Sequence, residues 1–151
     1  MRNFNEIEIL NIDFLQKRGF RYILINLTQN ILDHAIFDAK RELRDWLKET
    51  GTHDYSTQEP GQKAMVKTII LSFKKQVEVE SSLYRAGTRG DARMWFGSDI
   101  YDFVTPDDIC GVFIHNKIIY VLNISKIDIV FCCTTALSNP IKTFFKVLKT
   151  G

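Results

Sequence analysis

The chain of 151 residues is poor in cysteine, in proline and in net charge, and each scarcity excludes something. Its three cysteines, Cys110, Cys132 and Cys133, are too few and too oddly spaced for a disulfide framework. Cys132 and Cys133 are adjacent, and no Cys-x-x-Cys or His pair completes a zinc site, so no metal site is expected. The thiols read as buried side chains in strands of a reduced, cytoplasmic protein. No stretch approaches the ~20 apolar residues of a membrane span, and the N-terminus lacks a signal-peptide pattern; a soluble protein with no membrane partner is expected. There is no Gly-x-Ser-x-Gly elbow, no Gly-x-Gly-x-x-Gly and no Gly-Lys-[Ser/Thr], which removes serine hydrolysis and phosphate-loop chemistry. With 20 Lys and Arg against 18 Asp and Glu the net charge is only +2. A nucleic-acid footprint must therefore come from local clustering.

What is present is an ordinary core-forming composition, 45% hydrophobic and 25% charged, which fits one domain over residues 1–151. Residues 6–16 read as a short helix and 21–27 as a buried strand. From Asn30, a plausible N-cap, Leu32, Ala35, Ile36, Ala39, Leu43, Trp46 and Leu47 share one 3.6-period face, which predicts a long helix stopped by Gly51. Strands are expected at 64–73, 77–85 and 91–96, at 109–114 paired with 117–124 about His115-Asn116, and at 127–133. Asn139-Pro140 reads as an N-cap followed by proline at the first position of a terminal helix. The short links favour antiparallel pairing over βαβ crossovers. The expected fold is α+β: a mainly antiparallel curled sheet or open barrel with two flanking helices.

The most informative stretch is residues 81–97. Val77, Val79, Ser81 and Leu83 alternate with Glu78, Glu80, Ser82 and Tyr84; Ala92, Met94 and Phe96 alternate with Asp91, Arg93 and Trp95. Residues 86–90, with glycines at 87 and 90, have the length of a hairpin loop. Arg85, Arg89 and Arg93, with Tyr84 and Trp95 and with Lys63 nearby, would suit phosphate contact and bidentate hydrogen bonds to guanine edges of duplex DNA. Solvated arginines, or an arginine stacked on Trp95, would account for the same residues without DNA.

A nuclease active site would need carboxylates converging on a divalent ion and a lysine near the attacked phosphate. Asp54 with Lys67 has the spacing, but Met65 stands where an acid is required. Glu78 and Glu80 offer two carboxylates on one strand face. If that reading held, Asp54, Lys67, Glu78 and Glu80 would be the catalytic set and Mg²⁺ the cofactor; otherwise no cofactor is expected. The histidines read as a helix-surface residue (His34), a helix-exit residue (His53) and a turn residue (His115).

Thr50-Gly51-Thr52-His53, following Leu27-Thr28-Gln29-Asn30, and the later arm Arg93-Met94-Trp95-Phe96-Gly97 resemble the DNA-binding effector domain of EcoRII-type restriction endonucleases. That domain is a pseudobarrel also found in a class of plant transcription factors. The resemblance implies arms that grip the major groove, with Arg85, Arg89, Arg93 and Trp95 as contacts. Asp54 stands where that family has Gln after the His. Val66-Lys67-Thr68 and the 108–113 and 119–121 hairpin are also similar to small restriction-fold homing endonucleases. A third class, a non-catalytic protein-interaction module, suits the near-neutral charge. Trp46, Phe144 and Phe145 could then serve a partner protein's surface, although burial in the core is their expected fate; under the DNA-binding reading a catalytic domain could be supplied by another chain.

Overall fold

Asn5 and Glu8 cap each other's backbone N–H groups, a reciprocal box that starts helix α1, Glu6–Lys17. The structure is a computed structural model that describes residues 1–87 and 90–150. Strand β1, Ile23–Leu27, follows, and Thr28 caps a single helical turn, α2, Gln29–Leu32. The long helix expected from residue 30 does not form. Ala35 takes a left-handed φ of 54°, and Ile36–Asp38 becomes strand β2 before helix α3, Arg41–Glu49. Sheet pairing outweighs helical periodicity here: β2 lies antiparallel on β5 (Ala92–Trp95), and the Ala35 carbonyl accepts the Phe96 N–H at 3.1 Å. Gly51, at φ 69°, does end α3.

Strand β3 (Lys63–Leu71), strand β4 (Gln76–Arg85) and β5 follow as a meander. The hairpin of β6 (Asp108–His115) and β7 (Ile118–Asn123) comes next. The sheet order is β1-β6-β7-β3-β4-β5-β2. Every neighbouring pair is antiparallel except β3 with β7, and the sheet curls strongly into a half-barrel. The α+β curled-sheet expectation holds, with five α-helices among the described residues rather than two.

Residues 127–133 are not a strand. Asp128 caps helix α4, Ile129–Thr134, and buried Asn11 reaches across from α1 to fix it. The Asn11 amide donates to the Ile124 and Ile127 carbonyls and its oxygen accepts the Ile129 N–H. Cys132 and Cys133 therefore sit on a helix, and only Cys110 is a strand thiol. Helix α5, Pro140–Thr150, begins where expected, with the Asn139 side chain accepting the Lys142 N–H.

Two sets of contacts close the β1–β6–β7 half. Phe113 and Tyr120 point outward and meet Phe144 of α5 at ring separations of 5.3 and 4.5 Å, while Phe145 adds Phe14 and Phe20. Beside them, buried Glu8 accepts hydrogen bonds from Arg2, the Asn5 N–H and the Ser125 hydroxyl, while Arg2 also reaches the Asp107 carbonyl. Phe144, Phe145 and Trp46 are core residues, as expected. Among the described residues no helix is long and apolar enough to cross a membrane.

Candidate nucleic-acid interface

Register across β3, β4, β5 and β2 builds the site. Ala64, Leu83, Met94 and Phe37 stand opposite one another and form a row on the inner face, with Leu83 and Met94 fully buried. Successive side chains alternate between faces, so the rows on either side of it point outward. One is Lys63–Tyr84–Arg93–Asp38; the other is Met65–Ser82–Trp95–Ile36. Met65 is 52% exposed and Trp95 39%, whereas Ser82 between them is 4% exposed. Six of these outer side chains, all but Arg93 and Asp38, line a depression of about 430 Å³, floored in mid-row by Ser82.

The hairpin forms as expected and brings Tyr84, Arg93 and Trp95 to one face; Lys63 joins them from β3. Arg93 lies loosely between Asp38 at 3.7 Å and Asp91 at 3.9 Å, with 39% of its side chain exposed. Pairs of that length at the surface hold an arginine weakly, so it can exchange partners. Arg85 has a different task. Its Nε donates to the Gly90 carbonyl and Nη1 to the Gln58 carbonyl, which ties the hairpin end to the loop after α3. A Cβ at Gly90 would come within 2.6 Å of the Arg85 guanidinium, and Gly90 has φ 73°. A side chain there would strain the backbone and push the guanidinium off its carbonyl partners. Arg89 lies outside the described residues.

The loop between α3 and β3 supplies supports that sequence reading missed. Buried Gln58 donates to the Leu83 and Gln62 carbonyls, and His53 shares a hydrogen bond with its side-chain oxygen. Tyr55 donates its hydroxyl to the Arg93 carbonyl and packs edge-on against His53. Burial lowers the His53 pKa and raises that of Tyr55. Both side chains stay neutral near pH 7 and act as props. Their polar, loop-like sequence carried no periodic signal to reveal this.

The nuclease set is split: Lys67, Glu78 and Glu80 share the outer face of β3 and β4, and Asp54 does not join them. Lys67 is ion-paired with Glu78 at 2.7 Å, which raises its pKa, and it stands opposite Glu80 in the register. Asp54 belongs to another surface: it caps the turn at Tyr55–Thr57, and the Ser56 hydroxyl and N–H hold its pKa below the usual range. Asp54 lines a mixed-charge cavity of about 750 Å³ with Lys40, Arg44 and Arg85. Among the described residues no three His, Cys, Asp or Glu side chains gather as a metal ion would require. His34 is exposed in the turn after α2, and His115 ends β6.

Comparison of the chain with family models, curated proteins and solved structures returned no match.

Proposed function

We propose that this chain is a DNA-binding protein or domain that meets duplex DNA with the exposed outer face of β3, β4, β5 and β2. The observation that carries the reading is the outward row Lys63–Tyr84–Arg93, two cations flanking a flat ring, with the Trp95 indole in the adjoining row. Arginine and lysine contact phosphates and guanine edges, and aromatic rings contact sugars and bases. The resemblance of the 93–97 arm to the EcoRII-type effector domain points the same way, and a curled, mainly antiparallel half-barrel is compatible with that domain's pseudobarrel. On this reading Arg85 acts through the loop that it holds. A catalytic partner, if the system cuts DNA, is supplied by another domain or chain.

The test is gel retardation of duplex DNA over a salt series. Phosphate contacts release counterions, so log affinity should fall against log salt by about 0.9 per contact, with roughly three to five contacts in all. A protein partner held by apolar burial would show little salt dependence. No binding even at low salt overturns the proposal.

A further inference from the structure

Within that face, Ser82 is out of place for a site that reads only a duplex surface. It is the one small side chain in a row of large ones, Met65 on one side and Trp95 then Ile36 on the other, so it leaves a notch in the sheet. Its hydroxyl is buried and has no hydrogen-bond partner among the described residues, whereas the neighbouring Ser81 hydroxyl is paired with Thr68 at 2.7 Å. A buried hydroxyl without a partner carries a desolvation penalty that a bound polar group would relieve. The notch has a flat indole on one flank, a polarisable thioether on the other, the Tyr84 ring in the adjoining row and the Lys63 ammonium at the rim. A hydroxyl that can both donate and accept, under an aromatic wall and beside a cation, matches a planar heterocycle attached to a phosphate.

We infer that the Ser82 notch seats one unstacked nucleobase, its face on Trp95, its polar edge on the Ser82 hydroxyl and its phosphate beside Lys63. The inference rests on the DNA-binding reading and adds to it a preference for a strand that offers an unpaired base. Trp95 is a built-in reporter, because the other tryptophan, Trp46, is 6% exposed beneath the Arg21 guanidinium.

The experiment titrates the full chain with a mixed-sequence single-stranded oligonucleotide and with an oligonucleotide of equal length whose central positions are abasic. Tryptophan emission is followed, with retardation of the matching duplex run in parallel. The expected result is quenching by the base-bearing strand and an affinity about fivefold to a hundredfold above the abasic strand, the range that one stacked base supplies. Trp95→Phe should lose the quenching while keeping most of the preference, and Trp95→Ala should lose both. Ser82→Val, which fills the notch, should reduce binding to the abasic level. Ser82→Ala, which removes only a hydroxyl without a partner and so leaves the fold intact, should keep the quenching and lose part of the preference. Equal affinity for the two strands, with duplex binding retained, overturns the base seat and leaves the duplex reading standing. Failure to bind either strand or the duplex overturns both.

Discussion

On the β6–β7 side of the sheet the outward positions hold Phe113 and Tyr120, and α5 lays Phe144 and Phe145 over them. On the β4–β5 side the outward positions hold Tyr84, Arg93 and Trp95, and Trp95 stays 39% exposed. The two halves share one curled sheet and one inner core. They differ in what the second face was given: rings that need a helix to leave water, or cations and amphipathic rings that tolerate it. In an antiparallel sheet with one buried face the alternation itself costs little to satisfy. The residues on the free face therefore separate a covered stability surface from an exposed one, which the proposed function makes the contact surface.

The largest expected effect breaks the covered half. Phe113→Ala removes a ring that is 1% exposed and touches both α5 phenylalanines, so it should cost about 3–5 kcal/mol of unfolding free energy. Chemical denaturation measures it. Because the ring is remote from the outward rows, DNA affinity per folded molecule should be unchanged; a parallel loss of affinity would mean that the two halves are not separable.

Next comes Glu8, whose network closes the same half. The Arg2 guanidinium, helped by the Ser125 hydroxyl and the Asn5 N–H, overcomes burial and holds the Glu8 pKa down at about 2. A carboxylate with a depressed pKa in the folded state stabilises fully above its unfolded pKa, near 4.5, and that contribution drains away as pH falls towards 2. Glu8→Gln should lower stability by about 1–3 kcal/mol at pH 7, because a buried acceptor of charge-assisted hydrogen bonds loses its charge while Arg2 can still reach water. It should also flatten the stability profile between pH 4.5 and 2. Thermal melts over that range decide it; an unchanged acid slope would show that Glu8 is not the group responsible.

These elements also show what could be read in advance. The period of two at 77–85 and 91–96 placed Tyr84, Arg93 and Trp95 on one face correctly, because alternation is local. The helix predicted from residue 30 failed because Leu32, Ala35, Ile36 and Ala39 satisfy a helical period by coincidence. The turn at Ala35 uses a residue that does not advertise a left-handed φ. The apolar run at 127–133 could be strand or helix on pattern alone. Asn11, 118 residues before the backbone N–H that its oxygen accepts, decided for helix. For the same reason Lys63 was legible only as a nearby cation, and the notch at Ser82 not at all. Register between strands is set by the whole sheet.

The contact half should answer differently. Arg93→Ala leaves the core untouched, since its carboxylate partners are 3.7 and 3.9 Å away at the surface. Unfolding free energy should change by less than about 1 kcal/mol. Specific DNA affinity should fall by about 1–3 kcal/mol if the guanidinium reads a base, with relaxed discrimination at that base pair. Isothermal titration with the preferred duplex and with single-pair variants measures both.

The smallest effect is the sharpest discriminator between phosphate contact and a structural ion pair. Lys67 lies on the same outer face, pairs with Glu78 at 2.7 Å, and both side chains are about half exposed. Lys67→Ala should leave stability almost unchanged, because a solvated pair gains little over its separate hydration. If Lys67 contacts a phosphate, the slope of log affinity against log salt should become shallower by about 0.9, with the loss spread evenly over DNA sequences. Glu78→Gln frees the ammonium without removing it, and should raise affinity at low salt while leaving the slope unchanged. If Lys67→Ala leaves both affinity and slope alone, the lysine belongs with the structural pairs and the contact face ends at Met65.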